Sequence, residues 1–80
     1  MTNKMKMKLS ELEPGDTGKI VDITGEKKYI RRLSDMGLIR GTSIKMIRSA
    51  PLGDPIEIII RGYKLTLRKH EIEGIIVEKN

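Results

Sequence analysis

The chain has no cysteine, no tryptophan and no phenylalanine among its 80 residues, and only one alanine and one histidine. Without cysteine there is neither a disulfide nor a thiolate to hold a metal. A domain this small that dispenses with disulfides fits a reducing compartment. Long apolar runs are missing too. Stretches such as Ile58-Ile59-Ile60 have strand length, far short of the ~20 residues that span a bilayer. The opening Met1-Thr2-Asn3-Lys4-Met5-Lys6-Met7-Lys8 alternates basic and apolar residues and lacks the apolar core of a signal peptide. A cytoplasmic protein with no membrane insertion is expected. A single alanine argues against a helical bundle, and one histidine without cysteine cannot assemble a Ser/His/Asp or Cys/His catalytic set.

What the chain does have is thirteen isoleucines and seven leucines. β-Branched side chains lose freedom in helices and pack well on pleated sheets, so a mainly β domain is expected. The length allows one domain with one core. The net charge of +5 is unevenly spread: Lys4, Lys6 and Lys8 supply three charges, leaving +2 over residues 9–80. Between Glu26 and Arg48 seven basic residues face only Glu26 and Asp35. The expectation is a basic arm and one basic segment on a nearly neutral body.

Leu9 and Leu12, ahead of the Pro14-Gly15 turn, predict a short helical turn. Strands are predicted over Thr17–Thr24, Ile44–Arg48, Ile56–Arg61, Tyr63–Arg68 and Ile75–Glu78, each bounded by turn residues. Between the first two, Tyr29, Ile30, Leu33 and Met36 fall at i, i+1, i+4 and i+7, one apolar stripe of a helix over Glu26–Met36. Gly37 suits the left-handed position past its end, with Leu38 turned back onto Leu33 as in a Schellman stop. Lys69–Gly74 reads as one helical turn. Five strands bury their apolar face best by curling into a small barrel, which also removes exposed edges. Residues 1–7 are an N-terminal arm, either an extra edge strand or a loose segment, and 8–80 the domain.

Two segments together carry a family resemblance. Arg32-Leu33-Ser34-Asp35-Met36-Gly37-Leu38-Ile39-Arg40-Gly41-Thr42, followed by Ala50-Pro51-Leu52-Gly53-Asp54-Pro55-Ile56, resembles the ferrous iron transport protein A (FeoA) family. Ile60–Arg68, Glu71–Val77 and the opening Leu9, Leu12, Pro14-Gly15 and Gly18-Lys19-Ile20 fit the same pattern, so the resemblance covers roughly residues 8–78. It implies an SH3-like barrel in the cytoplasm, a part in iron homeostasis, and, as partner, the membrane GTPase FeoB that imports ferrous iron. At family level it also carries transition-metal ion binding. A similar barrel ends iron-dependent repressors of the diphtheria-toxin-repressor type. Here no helix-turn-helix precedes the barrel, so the stand-alone transport accessory is the better match.

The candidate sites are weighed on their residues. A ferrous site needs a cluster of His, carboxylate or thiolate ligands. His70, beside Glu71 and Glu73, is a weak metal candidate whose simpler reading is a solvated turn residue, and no cofactor is expected. No phosphate loop of the Gly-x-x-x-x-Gly-Lys-[Ser/Thr] type occurs, so the chain is not itself the GTPase, and no enzyme activity is expected. An arginine donated to a partner GTPase is conceivable, yet nothing in the sequence singles out one of Arg31, Arg32, Arg40, Arg48, Arg61 and Arg68. Lys28, Arg31 and Arg32 on the basic helix face fit an acidic partner surface. The alternative, a nucleic-acid-binding or regulatory module using helix 26–36, lacks the aromatic platforms on which single strands stack. Ala50–Pro55 has two compatible readings, a tight connection and a rigid partner surface. The expected protein-docking residues are Met36, Leu38, Pro51, Leu52 and Asp54, with Lys28, Arg31 and Arg32.

Overall fold

The computed structural model describes residues 5–80. The order is β1 (Met5–Lys8), a 3₁₀ turn (Leu9–Glu11), β2 (Thr17–Ile23), α1 (Lys27–Asp35), β3 (Ser43–Ser49), β4 (Ile56–Ile60), β5 (Tyr63–Leu67), a second 3₁₀ turn (Lys69–Glu71) and β6 (Ile75–Lys79). All strand pairs are antiparallel, and the sheet order is β1-β6-β2-β3-β4-β5. The fold is mainly β and SH3-like, with its helix between the second and third strands of six.

Two expectations are corrected. The described residues form six strands and not five, because Met5–Lys8 pair with Ile76–Lys79 at the edge of the sheet. The first four residues of the N-terminal arm lie outside the described residues. The sheet is also not closed, since β1 and β5 are its two ends. It curls instead. Register shifts between Ile20 and Asp22 in β2, and between Met46 and Arg48 in β3, insert an extra residue into each strand. Such bulges bend a strand and increase its twist. Closure is not needed to shield the core, because Leu33 of α1 and Leu38 just after it join the cluster lined by Ile20, Ile44, Met46, Ile56, Ile58, Ile60, Ile75 and Val77. Each of these isoleucines is worth about 1.5–3 kcal/mol when fully buried.

The helix stop follows its sequence pattern. Gly37 takes a φ of +95°, the N–H of Leu38 donates to the carbonyl of Leu33 at 2.9 Å, and that of Gly37 to Ser34 at 2.9 Å. These are the two bonds of a Schellman motif. At the other end of the chain Gly74 permits a close crossing: the Thr24 N–H donates to its carbonyl at 2.8 Å, and a Cβ at Gly74 would overlap the Thr24 carbonyl oxygen. Because the obstacle is backbone, Gly74→Ala is expected to lower stability by about 1–3 kcal/mol or more, read as a fall in urea midpoint.

Asp16 fastens the Pro14-Gly15 turn to the sheet. Its carboxylate accepts the Glu13 N–H at 2.9 Å and pairs with Lys79 at 3.4 Å. The backbone bond, helped by Lys79, holds its pKa below the ordinary value of 3.8. A depressed carboxylate pKa stabilises above the unfolded value, and that stability is lost as pH falls through the folded one. The gap in denaturation midpoint between the parent chain and Asp16→Asn should therefore be full near neutrality and shrink as pH drops below 3.8.

Candidate docking surface

The Ala50–Pro55 link is held in place by three hydrogen bonds from backbone N–H groups. The Ala50 N–H donates to the Pro55 carbonyl at 3.0 Å, the Gly53 N–H to Ala50 at 2.7 Å, and the Lys69 N–H to Asp54 Oδ1 at 3.0 Å. The first two close the turn on itself, and the third ties it to the second 3₁₀ turn. At its tip Leu52 is 92% exposed, next to exposed Pro51. The segment is thus both a tight connection and a fixed, outward apolar point.

The same 3₁₀ turn meets the helix. His70 stands edge-on to Tyr29 with ring centroids 6.0 Å apart, and Glu71 pairs with Arg32 at 3.1 Å. At its far end α1 reaches the start of β5, where the Tyr63 hydroxyl donates to the Met36 carbonyl at 2.8 Å. The helix therefore runs alongside β5 in the opposite direction, from the 3₁₀ turn to the β4–β5 hairpin.

This geometry divides the expected docking residues. Asp54 and Arg32 both reach the Lys69–Glu71 turn, Pro51 and Leu52 stand in the same loop as Asp54, and exposed Lys28 and Arg31 share the short helix that begins there. Met36 belongs to the other end of β5, a strand length away, half-buried against the core. Leu38 is a correction: it is 0% exposed. The left-handed Gly37 turns it inward, so it packs in the core and offers no partner surface.

His70 has little to offer a metal. Glu71 accepts the Arg68 N–H through one oxygen at 3.1 Å and Arg32 through the other, while Glu73 pairs with Lys8 at 3.5 Å. Among the described residues no group of three or more His, Asp or Glu side chains could hold a metal ion.

Charge on the surface is partly cancelled. Arg32, Arg40 and Arg48 each have a carboxylate within 3.1 Å, whereas Lys28 has a 3.8 Å contact with Glu26 and lies over the Tyr29 ring, 5.1 Å from its centroid. Sequence reading held Arg61 only as one of six undistinguished arginines and Tyr63 only as the start of a strand, and assigned neither to the docking surface. The signal was present, since a two-residue link ending in glycine between alternating runs marks a tight hairpin.

The model of the FeoA domain matches residues 7–79. The chain belongs to the FeoA domain family. A curated relative is the Fe(2+) transport protein A/Fe(2+) transporter FeoB fusion protein of Porphyromonas gingivalis, 38% identical over 72 residues. The match covers 90% of this chain and only 8% of that protein. The solution structure of FeoA protein from Chlorobium tepidum is 49% identical, with a TM-score of 0.82, covering 91% of this chain and 70% of that one. The zinc-complexed FeoA of Stenotrophomonas maltophilia, described as a prokaryotic SH3 domain protein, covers 90% of this FeoA chain and 89% of its own, with a TM-score of 0.76. At 24% identity it speaks for the fold alone. Membership of the family links the chain to ferrous iron transport, and no helix among the described residues is long and apolar enough to cross a membrane.

The division between Leu38 and Leu52 is measurable. Leu38→Ala should cost about 2–5 kcal/mol, and Leu52→Ala should stay within ~0.5 kcal/mol of the parent in the same urea titration.

Proposed function

We propose that this FeoA-family chain is a cytoplasmic accessory of ferrous iron uptake that acts by docking on an FeoB-type transporter. The observation that carries the reading is the Porphyromonas gingivalis protein, in which a segment 38% identical to this chain shares one polypeptide with FeoB. Covalent linkage raises the effective concentration of two modules that work together. On this reading the chain contributes contact and no chemistry of its own, and iron passes through the partner.

The contact is centred on the rigid loop. Pro51 and Leu52 are held outward by the hydrogen bonds that close the turn and anchor Asp54, so little ordering entropy is lost on binding. Lys28, Arg31 and Arg32 line the neighbouring helix and meet acidic groups on the transporter. Such charges mainly raise the association rate and fix orientation, and their effect weakens with salt.

Leu52→Arg tests the reading. The exposed substitution leaves the thermal midpoint within the range of a neutral surface change, and should abolish co-purification with FeoB and slow iron uptake in cells. A folded Leu52→Arg variant that still binds FeoB and supports full uptake would rule out this loop as the interface.

A further inference from the structure

The outward face of the sheet gathers charge from strands far apart in sequence. Along β3 buried Ile44 and Met46 alternate with exposed Lys45, and along β4 buried Ile58 and Ile60 flank exposed Ile59. Alternate side chains share a face. The registers therefore set Thr17, Lys45, Ile59 and Lys64 in one outward row across β2, β3, β4 and β5. A flanking row holds Lys6, Glu78, Lys19 and Ser43. On the other flank Arg48 and Lys64 share the carboxylate of Glu57, at 3.1 and 3.3 Å. Exposed Arg61 borders the patch at the hairpin tip, two residues beyond Ile59. Six cations thus meet two carboxylates, Glu57 and Glu78. The other ten basic and nine acidic side chains nearly cancel, so this face holds most of the net charge of +5.

We propose that this sheet face adsorbs to the anionic headgroups of a lipid bilayer, with Ile59 entering the headgroup layer at the centre of the basic array. This goes beyond docking on FeoB and uses another surface, because α1 and the turn after it cover the opposite face through Leu33 and Leu38. Anionic membranes attract clusters of about four to eight lysines and arginines. Other anionic partners fit less well. At about 4.8 Å between strands, the row from Thr17 to Lys64 is about 14 Å wide before side chains are counted, too wide for the ~12 Å major groove of DNA. Single strands stack on aromatic rings, and neither tyrosine lies on this face. Tyr29 belongs to α1, while Tyr63 pairs with inward Ile60 and donates its hydroxyl to Met36. Protein interfaces favour arginine and aromatic residues and are poor in lysine, whereas four of the six cations here are lysines. No cavity among the described residues would enclose a small anion. Lysines spread around one exposed isoleucine match a plane of headgroups above an apolar layer.

The experiment sediments the full-length chain with vesicles of phosphatidylglycerol and, separately, of phosphatidylcholine. The vesicles hold no FeoB, so the outcome is independent of the Leu52→Arg test of docking. Lys45→Gln with Lys64→Gln removes two charges from the face, and Lys27→Gln with Lys69→Gln removes two from exposed positions elsewhere. Such surface changes keep the urea midpoint near the parent's. The parent should bind phosphatidylglycerol and not phosphatidylcholine, and should be released as salt rises. The sheet-face pair should weaken that partitioning roughly tenfold or more, while the other pair keeps most of it. A parent chain that leaves phosphatidylglycerol vesicles unbound overturns the proposal. Equal loss in the two pairs overturns it as well, because binding would then follow net charge and not this face. Retardation of an oligonucleotide that the sheet-face pair abolishes, without vesicle binding, overturns it in favour of nucleic acid.

Discussion

An open sheet with two edges must still keep one face dry, and here the end of α1 makes that achievable. Gly37 reverses the chain in a conformation that side chains rarely adopt, and the reversal sends Leu38 down beside Leu33 into the sheet's inner face. Without that turn the short helix would contribute one fully buried residue and would lie on the sheet with little to hold it. In a domain of this size each such side chain is a large share of the total, because the surface buried on folding is limited. The same turn sets the Met36 carbonyl where the Tyr63 hydroxyl can reach it, so helix stop and hairpin lock one another.

The second 3₁₀ turn is the complementary joint. Three adjacent residues, Lys69, His70 and Glu71, touch the Asp54 loop, Tyr29 and Arg32 respectively. A loop that would otherwise be an independent excursion between β3 and β4 is thereby tied to the basic helix. Loops on rigid scaffolds bind at lower entropic cost than free ones, and here carboxylates used internally hold the loop and the helix to the same turn. Glu71, Glu73, Glu57 and Asp22 are engaged with cations of the same chain. Arg31 and Arg61 are among the several described cations without an ion pair, and Lys28 has only a long one to Glu26 at 3.8 Å.

Much of this was legible in the residues. The alternation of Ile56, Ile58 and Ile60, the stripe of Leu33 and Met36, and the glycine stop each depend on neighbours within about one turn or one strand pair, where the steric rules are local. The strand–helix–strand order followed from them, while the SH3-like class came from the family resemblance. Less legible were β1, whose Met-Lys alternation is equally that of a solvated arm, and Leu38, whose side chain is apolar in either setting. Pairing with β6, some seventy residues away, decides the first, and the direction of the chain after Gly37 decides the second.

By itself, then, the sequence determined the kind of protein: a cysteine-free, isoleucine-rich β domain with a basic helix, a rigid proline-bracketed loop and no constellation for chemistry. Local propensity and composition are properties of short stretches, which is why they can be read without coordinates. Only the tertiary structure decided which of the apolar residues face outward, which cations are already spent on internal carboxylates, and that the loop and the helix end lie at opposite ends of β5. Those depend on contacts between residues distant in sequence, and the side-chain types alone carry no record of them.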